Sequence, residues 1–181
     1  MGTFGARRIR TVVEEPSLGT DEREVLDLIV NKLQFRDGES IDIESLIGHF
    51  GIKLEFRPME SQVSGMLKKE GEHWIITINA LHGIKRQRFT MAHEFAHFIL
   101  HREKQSKFED IVFFRSSTKD SIEYAANRFA ADILMPTEEI KLLKETKGIE
   151  ELAEIYNVST LAMDYKLKTI EERNEKISLT S

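Results

Sequence analysis

Cysteine is absent from all 181 residues. That removes disulfides and thiolate metal ligands together, so any metal bound here must be held by histidine and carboxylate side chains. It also suits a reducing compartment, and the expected location is cytoplasmic. No apolar run approaches the roughly 20 residues that a membrane-spanning helix needs. Residues 1–15 carry charges around no apolar core, unlike a secretory signal, so no membrane partner is expected. Nor is there a basic excess: 26 Lys and Arg face 31 Asp and Glu, a formal net charge of −5. A broad nucleic-acid surface would need the opposite balance. Arg7, Arg8 and Arg10 make a small basic run, but terminal runs of this kind are more often solvated tails. Proline occurs only 3 times, at Pro16, Pro58 and Pro136, and each marks a break in the pattern around it.

What is present suits a soluble globular domain, 40% hydrophobic and 31% charged. After an aperiodic opening to Thr20, Val25, Leu28, Ile29 and Leu33 fall at helical spacing behind Asp21, a capping residue. Asp37-Gly38 ends that helix, and Ile43, Leu46, Ile47 and Phe50 predict a second one as far as Gly51. The period then becomes two over residues 52–56, which predicts a strand closed by Pro58. Residues 63–69 and 73–79 read as two more strands, joined by a hairpin turn at Glu70-Gly71-Glu72. Helical periodicity returns from Gly83 to about Leu100. A polar segment follows, 102–118, and then a helix at about 119–134. Met135-Pro136-Thr137 breaks the chain, with Thr137 as a capping hydroxyl for the next helix. Residues 149–156 and 159–171 predict two short helices more. Helices, a small and mostly antiparallel sheet, then helices again make an α+β domain. The expected division is a flexible segment 1–20, a main domain 21–147 and a C-terminal helical unit 148–181.

One constellation carries chemistry. His93-Glu94-Phe95-Ala96-His97 falls within the predicted helix that follows Gly83. Histidines four residues apart share one helix face and can reach a single ion, as in the HExxH pattern of zinc peptidases. Glu94, one step round, lies beside such an ion, where its carboxylate can take a proton from an attacking water and pass it to the leaving amine. A chance match in a chain of this composition has a probability of roughly a few per cent, and then the histidines are merely solvated or hydrogen-bonded. Phe89, Ala92, Phe95, Ala96 and Ile99 argue that the helix packs inside the domain.

A catalytic zinc wants three protein ligands and an open position. His101 continues the stripe but is about 12 Å from His93 along a straight helix, too far for one ion. It reads instead as a helix-end residue or pocket wall. A third histidine after a glycine turn would need glycine at position 100 and histidine at 103, which are Leu100 and Glu103. Glu123, four residues before Asn127 on an Ala-rich helix, is a candidate, with Asn127 able to orient a ligand imidazole from behind. From spacing alone, a surface glutamate is the commoner outcome. Met135, Phe113 and Phe114 could line a cleft, although packing is the commoner use of such residues.

The run Arg88-Phe-Thr-Met-Ala-His-Glu-Phe-Ala-His-Phe-Ile-Leu-His101, with Glu123-x-x-x-Asn127-x-Phe-Ala-Ala and Leu134-Met-Pro136, resembles the ImmA/IrrE metallopeptidase family. The likeness is strong over 88–136 and weaker over 21–80. It implies a gluzincin-like site for one Zn²⁺ ion per chain, with ligands matching His93, His97 and Glu123 and the base matching Glu94. It also implies cleavage of a helix-turn-helix repressor protein in bacteria, relieving repression of mobile-element or stress-response genes. The alternative is a non-proteolytic regulator with a structural or vestigial metal site, binding a repressor or operator DNA. Many members carry a second acid where this chain has Ala125, which leaves the ligand assignment intact and removes any role of that carboxylate. Residues 152–167 resemble a helix-turn-helix. From Gly148 to Ser181, however, 4 Lys and Arg face 7 Asp and Glu, a local charge of −3. That balance favours packing or substrate docking over DNA binding.

Overall fold

The computed structural model describes the backbone of residues 25–26, 28, 40–102, 107–110 and 121–179. The Arg7–Arg10 run, most of the helix expected at 21–35, and Phe113 and Phe114 lie outside the described residues.

The described chain runs α1 (Ile43–His49), β1 (Lys53–Arg57), β2 (Gly65–Glu70), β3 (His73–Asn79), α2 (Ile84–His101), β4 (Lys107–Asp110), α3 (Ser121–Leu134), α4 (Thr137–Leu143), α5 (Ile149–Ile155) and α6 (Thr160–Leu179). This is the α+β architecture that the sequence pattern indicates. Asp42 caps α1: its carboxylate accepts from the Ser45 N–H at 3.0 Å and the Ser45 hydroxyl at 2.6 Å. Those two hydrogen bonds hold the Asp42 carboxyl below its ordinary value.

The four strands lie in the order β1-β3-β2-β4. β2 and β3 form the expected hairpin, with Glu70 opposite His73 and Gly71 at φ +59° in the two-residue turn. Primed hairpin turns need that left-handed conformation, and glycine adopts it without a steric penalty. β4 pairs antiparallel with β2, Gly65 opposite Asp110. β1 pairs with β3 in parallel, Lys53 opposite Ile75, so the sheet is mostly but not wholly antiparallel. β4 itself falls in the segment read from sequence as merely polar.

α2 lies across one face of the sheet. Leu67, Ile76 and Ile78 are buried there, and Trp74 meets Phe98 edge-on at 5.7 Å. From Phe89 to Ile99 every residue of α2 is buried, and His101 as well. A helix buried all round is a central helix rather than an amphipathic cover. Arg88 anchors it at both flanks, donating to the carbonyl of Ile41 at 2.9 Å and of Asn157 at 3.2 Å.

α3 packs against α2 more extensively than any other helix does. Both bury alanines, Ala92 and Ala96 on one side and Ala126, Ala130 and Ala131 on the other, and small side chains let two helix axes approach closely. Thr137 opens α4 but does not cap it, contrary to the sequence expectation: the N-cap is Pro136, with no side-chain cap bond. Its hydroxyl bonds instead to Asp132 at 3.3 Å and accepts from Lys166 at 2.8 Å.

The C-terminal helices join with a tight turn. Asn157 takes φ +49°, the Asn157 N–H reaches the Glu154 carbonyl at 3.1 Å and the Val158 N–H that of Ala153 at 2.9 Å. This is the Schellman pattern that closes a helix, with asparagine in the left-handed position. Leu152, Ala153, Val158, Ala162, Met163 and Ile170 join the same buried cluster as the sheet and α2. No helix among the described residues is long and apolar enough to cross a membrane.

Candidate metal centre

His93 and His97 stand one turn apart on α2, 1% exposed each, with ring centroids 4.6 Å apart and planes nearly perpendicular. Their Nε2 atoms face each other at 3.0 Å. From α3, Glu123 reaches across: its Oε2 lies 3.3 Å from His93 Nε2 and its Oε1 3.3 Å from His97 Nε2. Hydrogen bonds from these two imidazoles hold the Glu123 carboxyl well below the usual carboxylate range, against the effect of burial.

The donor set fits a divalent cation. Two imidazole nitrogens aimed at one point 3.0 Å apart repel unless a proton or a cation lies between them. For metal–ligand arms of about 2.0–2.1 Å, the edge of a tetrahedron is about 3.3 Å, the separation of Glu123 from each imidazole, with the imidazole pair somewhat closer at 3.0 Å. Ligand atoms of His93, His97 and Glu123 all lie within 4.8 Å of one another, a group able to hold a metal ion. Only Glu123 keeps part of its side chain in solvent, 35% against 1% and 2% for the histidines.

Glu94 is 0% exposed. Its carboxylate abuts β2, since a Cβ built on Gly65 would lie 3.1 Å from Glu94 Oε1 and 2.4 Å from Thr90 Cγ2. The sheet thus presses glycine backbone against the helix at the level of the glutamate, beside the histidine pair.

Two outer positions differ from the sequence expectation. Among the described residues no hydrogen bond joins Asn127 to either imidazole, and its Oδ1 is buried without a partner there. The neighbour of a ligand ring is His101 instead: His97 Nδ1 lies 3.1 Å from His101 Nδ1, and His101 is 5% exposed. The signal is in the sequence, a histidine one further turn along the same stripe, too far to share the ion with His93 but within reach of the His97 ring. Met135 is fully buried in the core and lines no cleft.

A buried carboxylate set beside a three-donor metal position is the working arrangement of a metallopeptidase with the HExxH helix. Comparison with known proteins then gives the family: residues 47–168 match the model of peptidase M78, the IrrE N-terminal-like domain. The chain belongs to that family and is a metallopeptidase. It is also similar to the metallopeptidase ImmA of Bacillus subtilis (strain 168), 30% identical over 124 residues, which cover 64% of this chain and 69% of that protein.

Proposed function

We propose that this protein is a zinc endopeptidase that cleaves a specific bacterial helix-turn-helix repressor in the cytoplasm, relieving repression of mobile-element or stress-response genes. In this reading His93, His97 and Glu123 hold one Zn²⁺ ion and Glu94 is the general base. The observation that carries it is the meeting of a Glu123 carboxylate from α3 with both imidazoles of α2 at 3.3 Å, next to a fully buried Glu94. An ion held there supplies Lewis acidity, polarising water and the scissile carbonyl. Glu94 accepts the proton released by the attacking water and delivers it to the departing amine. A metal site with a purely structural role would have no use for that carboxylate.

The substrate peptide is proposed to lie extended along β4. Among the described residues the sheet has edges at β1 and β4, and β4 is the one beside β2, whose Gly65 meets Glu94. The choice of a repressor as substrate rests on the family resemblance. The C-terminal helices share the main core and carry a local charge of −3 over 148–181, which supports packing or substrate docking rather than DNA contact.

Co-expression with a candidate helix-turn-helix repressor from the same genome tests the proposal. Wild type should produce two defined fragments by mass mapping, and Glu94→Gln none. Cleavage undiminished in the Glu94→Gln variant would overturn it.

A further inference from the structure

We infer that His101 is a positioning residue for the metal ligand His97, holding its imidazole in the tautomer and orientation that present Nε2 to the ion. The inference rests on the proposed metal site and concerns a residue that the site itself does not contain.

The two nitrogens of the His97 ring meet different partners. Nε2 points at the shared position, 3.0 Å from His93 Nε2 and 3.3 Å from Glu123 Oε1. Nδ1 points the other way, 3.1 Å from His101 Nδ1. Turning the ring over would put carbon atoms at both places, where they can neither ligate nor hydrogen-bond, so the chemistry fixes the orientation. A neutral imidazole carries one ring proton. If Nε2 offers its lone pair to a metal, the proton sits on Nδ1 and is donated to His101. His101 Nδ1 must then be the acceptor, with its own proton on Nε2.

Metal-binding histidines ordinarily donate their second nitrogen to a carboxylate, a backbone carbonyl or water. In α2 the partner comes from the helix itself. His93, His97 and His101 lie four residues apart on one stripe, and the ring centroids of the last two are 5.3 Å apart. Helix geometry alone therefore brings the acceptor to the ligand, and burial of His101 to 5% keeps water from replacing it. The ring of His97 is held at both ends, so it is already aimed before an ion arrives.

Two variants separate positioning from packing. His101→Phe keeps the ring volume and removes the acceptor; His101→Asn offers Oδ1 near the place of Nδ1. Zinc affinity of metal-stripped protein is measured against a chromophoric chelator, alongside the melting temperature of the metal-free protein. His101→Phe is expected to weaken zinc about 10–100-fold, with His101→Asn staying within a few-fold of wild type. Equal affinity of His101→Phe and wild type overturns the inference while leaving the metal site standing; so does an equal loss in both variants, which marks packing. Failure of the wild type itself to bind zinc overturns the proposed function instead.

A second readout needs no substitution. In isotopically labelled, zinc-loaded wild-type protein the His97 ring is expected to carry its proton on Nδ1, with scalar coupling across the bond to His101 Nδ1. A ring protonated on Nε2 would contradict the assignment, even if neither variant folds.

Discussion

Gly65 sets how closely the sheet can approach the helix that bears Glu94. A Cβ there would meet Thr90 Cγ2 at 2.4 Å, Glu94 Oε1 at 3.1 Å and the Thr77 carbonyl at 3.2 Å. The 2.4 Å contact is shorter than a real Cβ tolerates, so Gly65→Ala must displace the Thr90 methyl or push α2 away from β2. Overpacking of this kind costs about 1–3 kcal/mol, and urea denaturation should show a loss in that range. Combining it with Thr90→Ser should recover part of the loss, because the methyl goes while the Thr90 hydroxyl bond to the Arg86 carbonyl, 2.9 Å, can be remade by serine. A Gly65→Ala protein as stable as wild type would sink the account of this contact. Residue identity at the site was legible to different depths. His93, Glu94 and His97 were open to a sequence reading because four-residue spacing on one helix is a local property. Glu123 was not, since its partners lie on another helix and spacing within α3 says nothing about which neighbour it meets. Its place before Asn127 on an Ala-rich helix made it a candidate, and only the resemblance singled it out from a surface glutamate.

Between elements, the C-terminal helix is fixed to the site-bearing helix by a buried charge. Lys166 on α6 is 2% exposed and donates to Asp132 on α3 and to the Thr137 hydroxyl of α4 at 2.8 Å. Removing one member of such a pair takes the compensating charge from the other. Lys166→Met should therefore destabilise the protein by about 3 kcal/mol, toward the low end of the usual range because Asp132 keeps 25% of its side-chain surface in solvent. Adding Asp132→Asn should cost less than the sum of the single changes. Strict additivity in thermal or chemical denaturation would show that the two groups do not act as a pair. At this scale the sequence was informative where burial imposed a period. The helices and three strands were read because one face of each is apolar. β4 was missed because Lys107-Phe-Glu-Asp110 is short and polar, and an edge strand needs only one partner. Direction is likewise absent from an alternating pattern: β1 reads as a strand whichever way it runs, and it lies parallel to β3 because the chain reverses twice, once between β1 and β2 and again in the hairpin.

Over the whole molecule, one continuous core ties these parts together. Ile43 and Leu46 of α1, Ile76 and Ile78 of β3, Phe95 of α2, Phe129 of α3 and Met163 of α6 all belong to it. The proposed metal position therefore bridges two helices whose separation is set by packing throughout this core. An ion bound there links α2 to α3 and stabilises the folded state by mass action, about 2.7 kcal/mol at a hundredfold excess over the dissociation constant. Titration calorimetry of metal-stripped protein with zinc, followed by thermal melting, tests this most directly. Wild type and Glu94→Gln are expected to bind one ion per chain and to melt higher when loaded, while Glu123→Ala should bind at least tenfold more weakly and gain little. Equal affinity and equal thermal gain in Glu123→Ala would contradict the site.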